Sequence, residues 1–175
     1  MKSSPIAASM RLVRLEEDTA ILPFESEDKD LNDFLLNDAK NYSKSLLAVT
    51  YMYQTDDEIV GYFSLSNDSL IKNDSEKSGW NKVNRAIPND KRRKSYPSVK
   101  IGRLAVTKKH AGMGIGRLML LTVKNMYINV QQQAACRFLT VDAYQNALPF
   151  YQKNSFKILT EQDLNDDTRI MYFDL

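Results

Sequence analysis

Gly112, Gly114 and Gly116 alternate in the run Gly112-Met113-Gly114-Ile115-Gly116-Arg117, between an apolar strand-like segment and a long apolar stretch of helical period. Alternating glycines let the main chain turn sharply and approach a ligand closely, because no side chain intervenes. A helix starting there opens with N–H groups that lack intrahelical partners and with the positive end of its dipole. Together these make a receptor for phosphate oxygens, and Arg117 adds a cation beside it. The same pattern also serves as a plain strand-to-helix turn with no ligand, and glycine spacing alone leaves both readings open. Two phosphate-binding designs are excluded. A P-loop ends in Gly-Lys-Ser/Thr, which Gly116-Arg117-Leu118 does not supply. A dinucleotide fingerprint needs a third glycine where Arg117 stands, within a series of parallel repeats.

Other residues carry weaker signals. Tyr151 follows Phe150, and such a pair by itself reads as core aromatics. His110 is the only histidine; it adjoins the glycine turn and is read as a loop residue, not a catalytic base. Cys136 is the only cysteine, so no intramolecular disulfide forms, and it reads as a small buried side chain. Asp142 is read as structural. Residues 82–100 hold seven basic side chains (Lys82, Arg85, Lys91, Arg92, Arg93, Lys94, Lys100) against one acidic, Asp90. Such a run is either a solvated loop or a field for a polyanion, whose binding would fall steeply with salt.

The elements that must position these residues follow from period and punctuation. A strand is expected at residues 10–15. Leu31, Phe34, Leu35, Ala39, Tyr42 and Leu46 then recur at helical spacing, with Glu27, Asp28 and Asp30 at the favourable end of the dipole. Residues 48–54 and 59–66 form an antiparallel hairpin around Asp56-Asp57-Glu58. Residues 67–98 are polar, contain Pro88 and Pro97, and read as a long excursion with one short helix. A strand at 99–106, a helix at 116–133, a strand at 138–143, a short helix at 146–154 and a closing pair at 156–159 and 169–173 complete the order. Strands outnumber helices, and one strand–turn–helix–strand unit implies a parallel pairing inside a mixed sheet.

The bulk numbers fit one domain over residues 1–175, with 43% apolar and 26% charged residues. The formal charge of +2 says little about partners. No apolar stretch approaches the roughly 20 residues that cross a bilayer, and the first ten lack a signal-peptide core. A cytoplasmic protein without membrane contact is the expectation.

The residues Gly102-Arg103-Leu104-Ala105-Val106, the Gly112-x-Gly114-x-Gly116 turn, and Val141-Asp142-Ala143, Asn146-Ala147, Phe150-Tyr151 and Asn154-Ser155-Phe156 resemble, in order and separation, the coenzyme-binding half of the GNAT superfamily of N-acetyltransferases. The resemblance implies an α/β (α+β) fold: a mixed, mostly antiparallel sheet flanked by helices, with a parallel strand pair splayed to hold coenzyme A. It implies acetyl transfer from acetyl-CoA to a primary amine by direct attack, with no metal. The amides of Gly112, Met113, Gly114, Ile115, Gly116 and Arg117 would cradle the pyrophosphate. Leu104, Ala105 and Val106 would pair with the pantetheine arm, with Asn146 as a further partner of that arm. The Val106 N–H would polarise the thioester carbonyl, a donor worth about 3 kcal/mol of barrier, and Tyr151 would protonate the departing thiolate. Two departures stand out. Ala111 replaces a Gln or Arg that contacts phosphate, and Ser155 replaces a common glycine. Many relatives use a Glu on the central strand as base, but residues 99–106 contain no carboxylate, so no base is assigned.

A closer resemblance rests on Phe24-Glu25-Ser26, Leu31-Asn32-Asp33-Phe34-Leu35, Ala39, Gly61-Tyr62-Phe63-Ser64-Leu65-Ser66 and Gly102-Arg103-Leu104-Ala105-Val106. These look like the GNAT toxins of bacterial toxin–antitoxin pairs, which acetylate the α-amine of aminoacyl-tRNA. That acceptor suits a basic flank carrying Arg85, Arg92 and Arg93, and an amine of lowered pKa suits a missing base. An antitoxin partner and a homodimer are further expectations of the likeness. The alternatives are acetylation of a small-molecule or protein amine, and a non-catalytic sensor that binds coenzyme A.

Overall fold

Asp28 caps the first helix, its carboxylate accepting from the N–H groups of Asp30 (2.9 Å) and Leu31 (3.4 Å). That acidic start opens α1 (Lys29–Asp33), which passes through a π-helical turn (Phe34–Asp38) into α2 (Ala39–Lys44). The computed structural model describes residues 9–72, 77–88, 91–128, 135–161 and 163–175. Phe34, Leu35 and Ala39 are buried as the spacing predicts. Leu46 is not on the helix: it has φ 57° and is 93% exposed. The π turn adds a residue to the helical repeat, and the helix ends at a left-handed cap in which Leu47 N–H reaches the Tyr42 carbonyl (2.9 Å).

The strands are β1 (Arg11–Arg14), β2 (Val49–Gln54), β3 (Ile59–Ile71), β4 (Ser95–Val106), β5 (Phe138–Tyr144), β6 (Lys157–Ile158) and β7 (Thr168–Asp174). Their order is β1-β2-β3-β4-β5-β7-β6. β1–β2, β2–β3, β5–β7 and β6–β7 are antiparallel, and β4–β5 is parallel. The remaining helices are α3 (Lys77–Val83), α4 (Ile115–Ile128) and α5 (Leu148–Lys153). Residues 129–133, given to the second long helix by its period, lie outside the described residues, as does Asp90.

The expected excursion at 67–98 is shorter than its polarity suggests, because β3 runs to Ile71 and β4 starts at Ser95. Polar side chains there are exposed yet paired with partners on other strands. Asp68 accepts from the Thr140 hydroxyl (2.7 Å), and Ser69 bonds to Ser95. Pro97 is tolerated because the parallel register with β5 begins one residue later, at Ser98.

Two compact units result, residues 1–66 with 101–123 and residues 67–100 with 124–175. The first is built on Leu15, Phe24, Phe34, Leu35, Met52 and Tyr62, the second on Leu70, Trp80, Val83, Tyr96, Phe138 and Tyr172. β3, β4 and α4 each run from one unit into the other.

Candidate active site

In the first unit, the 3-10 turn Lys108–His110 leads from β4 into the glycine segment. Gly112 and Gly114 adopt φ of 75° and 83°, a region that side chains disfavour. A side chain at either would meet nothing within 4 Å, so the main chain of this turn is open. Gly112, Met113, Gly114 and Arg117 are exposed, whereas Ile115 is buried and fixes the start of α4. The first intrahelical bond is Leu118 N–H to Gly114 C=O (3.0 Å). The amides of Ile115, Gly116 and Arg117 therefore lie in the first turn, where intrahelical acceptors run out. This arrangement fits a diphosphate.

β4 reverses its alternation along its length. Near its start, Lys94 C=O faces β3, accepting from Lys72 N–H (2.8 Å), and Pro97 C=O accepts from Arg137 N–H (3.0 Å) on the opposite side. Near its end, Thr107 N–H donates to Val60 C=O (2.9 Å), and a Cβ on Gly61 would come within 2.9 Å of the Ala105 carbonyl. Facing β3 are thus an even-numbered residue at one end and odd-numbered ones at the other. One irregularity lies between Pro97 and Ala105, as an isolated strand glycine such as Gly102 often marks. With Ala105 and Thr107 both turned to β3, the N–H of Val106 points away from it. The parallel register with β5 covers only Ser98–Lys100 against Phe138–Thr140, although both strands continue. Leu104 and Val106 are half-buried and Ala105 is buried.

In the second unit, Tyr151 sits on α5 and is 7% exposed, its ring edge-on to Phe150 (5.0 Å) and Phe156 (5.5 Å). Burial pushes its hydroxyl pKa far up, so it holds its proton throughout the physiological range. Its carbonyl accepts from Phe156 N–H (3.0 Å), while Ser155 N–H reaches Gln152 C=O (2.9 Å), a left-handed cap with Ser155 at φ 69°. Lys124 closes the same cap on Asn154 C=O (2.5 Å), and burial lowers its pKa. Asn146 is exposed on the 3-10 turn before α5. Asp142 is ion-paired with Lys100.

The basic stretch surrounds an aromatic stack. Trp80 lies against Tyr96 (5.4 Å, 19° between planes), and the Tyr96 hydroxyl donates to the Asn84 side chain (2.8 Å) and accepts from Arg93 N–H (2.9 Å). Arg92 and Arg93 line a concavity of about 380 Å³ with Lys72, Trp80, Asn84 and Lys94. Arg92 is partly engaged, donating to the carbonyls of Ile87 (3.3 Å) and Asn84 (3.4 Å). Arg85 is exposed on the neighbouring 3-10 turn but is not among the lining residues.

Two features escaped the sequence. His110 lies in the connection between β4 and α4, as expected, but it is 5% exposed and bonded to Glu58, a burial and a partner that were not foreseen. Arg103 lays its guanidinium over the Phe34 ring (4.9 Å), beside the π turn. Neither the His–Glu nor the Arg–Phe pair has a sequence spacing that announces it. Among the described residues, no group of three or more His, Cys, Asp or Glu side chains gathers as a metal site, and no helix is long and apolar enough to cross a membrane.

A mostly antiparallel seven-stranded sheet with a single parallel pair, entering its longest helix through a glycine turn, is the architecture of the GNAT N-acetyltransferases. Residues 87–171 match the family model for the acetyltransferase (GNAT) domain. Solved toxin structures share the fold. AtaT complexed with acetyl-methionyl-tRNAfMet superposes with a TM-score of 0.75 at 20% identity, covering 94% of each chain. A Tyr-to-Phe mutant of AtaT bound to the C-terminus of the antitoxin AtaR and acetyl-CoA gives 0.74 at 19%, covering 94% of this chain and 92% of that one. A Tyr-to-Phe mutant of KacT gives 0.72 at 21%, covering 93% and 94%.

Proposed function

We propose that the chain, acting over residues 1–175 as one N-acetyltransferase domain, moves an acetyl group from acetyl-CoA to the α-amine of aminoacyl-tRNA. The observation that carries the coenzyme half is the open glycine turn at the mouth of α4, with Gly112 and Gly114 at positive φ and nothing within 4 Å of where their side chains would stand. Gly112, Gly114, Ile115, Gly116 and Arg117 bind the diphosphate through their N–H groups, and Met113, whose N–H is given to the His110 carbonyl (3.3 Å), completes the turn around it. Acetyl-CoA supplies an activated thioester. Leu104 and Val106 pair with its pantetheine arm, Ala105 sets their spacing, and the outward N–H of Val106 polarises the thioester carbonyl. Asn146 holds an amide of the same arm. Tyr151 gives its proton to the departing sulfur, a role supported by a hydroxyl that stays protonated. An ester-linked amine is already partly neutral, so water suffices as base.

The acceptor rests on the basic segment, where Arg85, Arg92 and Arg93 bind phosphates, and on the likeness to AtaT solved with acetyl-methionyl-tRNAfMet. A cytoplasmic setting, an antitoxin partner and a homodimer accompany this reading. Isotopic acetyl transfer to a panel of charged tRNAs, polyamines, aminoglycosides and peptides tests it. Label on charged tRNA is the expected result. Rapid labelling of polyamine or peptide with inert tRNA overturns the acceptor and leaves the transferase.

A further inference from the structure

We propose that His110 is a positioning residue for the glycine turn, held by Glu58; the inference rests on the reading that this turn binds the diphosphate of coenzyme A. Two glycines at positive φ bring no stiffness of their own. An amide cradle binds well only when its donors are already aimed, so stiffness must come from the flank. His110 is that flank. Its N–H donates to Thr107 C=O (3.0 Å), and its C=O accepts from Met113 N–H (3.3 Å), inside the turn itself.

The side chain fixes this residue from beneath. The imidazole is 5% exposed, with Nε2 3.1 Å from Oε1 of Glu58. Its Nδ1 is buried and has no hydrogen-bond partner among the described residues. A buried N–H lacking an acceptor costs more than a buried lone pair lacking a donor. The proton therefore belongs on Nε2, pointing at Glu58. Glu58 is itself set by the Thr55–Glu58 turn: Thr55 N–H donates to Glu58 C=O (3.0 Å), and Glu58 N–H donates to Thr55 Oγ1 (3.2 Å). Lys109 Nζ reaches the same carboxylate oxygen (2.6 Å). Hydrogen bonds from Lys109 and His110 hold the Glu58 carboxyl below the usual carboxylate range. Lys109 is exposed, and exposed pairs contribute little. The buried imidazole is the effective link between hairpin and glycine turn.

The test compares two acetyl donors on the full-length protein, acetyl-CoA and S-acetylpantetheine, which lacks the diphosphate. His110→Ala should raise the KM for acetyl-CoA, and the calorimetric Kd for coenzyme A, about tenfold, as expected for removal of one charge-assisted hydrogen bond. With saturating acetyl-CoA, kcat should stay within about twofold, and kinetics with S-acetylpantetheine should not change. His110→Gln keeps a donor near the Nε2 position and should restore most of the affinity. Glu58→Ala should match His110→Ala, and the double variant should lose no more than either single one. An equal rise in KM for both donors marks a general loss of structure and overturns the inference, as does an unchanged Kd or a glutamine no better than alanine. Wild-type protein that binds no coenzyme A overturns the parent reading, and this inference falls with it.

Discussion

The glycine turn and the basic segment are both candidate phosphate binders, yet they are built on opposite plans. The turn offers main-chain amides, with segments on either side tied down by Thr107 N–H to Val60, Lys108 N–H to Glu25 (2.9 Å) and the His110–Glu58 contact. The basic segment offers long exposed side chains over a stack of Trp80 and Tyr96, and its cations are partly spent on local carbonyls. Main-chain donors have one geometry and suit a ligand that never varies. Arginine side chains are adjustable and read charge more than shape. The proposed reaction, with one coenzyme and a large anionic acceptor, would need one of each.

The largest effect belongs to neither region and calibrates both. Tyr151→Phe should lower kcat by roughly 10²–10⁴ if the hydroxyl gives up its proton in the transition state. Coenzyme A affinity should not change, because the ring keeps its packing against Phe150 and Phe156. Stopped-time acetyl transfer beside calorimetry checks both halves; full turnover removes the assignment. Next comes Gly114→Val, which puts a β-branched residue at φ 83°. Strain of about 1–3 kcal/mol should weaken coenzyme A binding by roughly 10–100-fold. Affinity for uncharged tRNA, measured by filter binding, should stay as it was, and a parallel loss there would merge the two regions into one.

The converse substitution separates them from the other side. Arg92→Glu with Arg93→Glu should reduce the salt slope of tRNA binding by about two, one for each phosphate no longer neutralised. Coenzyme A affinity should not move. The two positions also differ from each other: Arg92 supports the carbonyls of Asn84 and Ile87, so Arg92→Glu should cost thermal stability that Arg93→Glu does not. An unchanged salt slope in the double variant would return the segment to a solvated loop.

How much of this was legible follows from the kind of interaction involved. The glycine turn and the strand before it were readable because positive φ is written in residue type. The order of strands and the parallel pair followed from period and from the helix between them. The extent of β3 and β4 was not readable, since Asp68, Ser69 and Ser95 are polar and their partners lie far off in sequence. Pro97 looked like a breaker because the register that spares it belongs to another strand. The burial of His110 was not readable for the same reason: its partner Glu58 lies 52 positions away. Leu46 shows the opposite failure, a residue at the right helical spacing that lies past the end of the helix, in its left-handed cap.

Ser155 was legible as an odd residue at a helix end, and it gives the smallest effect. The cap it closes has both bonds of a left-handed termination, Phe156 N–H to Tyr151 C=O and Ser155 N–H to Gln152 C=O, with φ 69°. A residue with a Cβ sits there at a cost of about 1–2 kcal/mol, and glycine would remove it. Glycine also gives the unfolded chain more freedom, which returns about 0.4–1 kcal/mol. The net for Ser155→Gly should be a gain of roughly 0.5–1 kcal/mol, a rise of about 1–4 °C in Tm for a chain of this size. Because the cap holds the carbonyl of Tyr151, the variant also asks whether that side chain needs a relaxed helix end. Unchanged kcat with a higher Tm would show that Ser155 carries only strain, whereas a fall in kcat without any change in coenzyme A binding would show that the strained cap sets the tyrosine for its proton transfer.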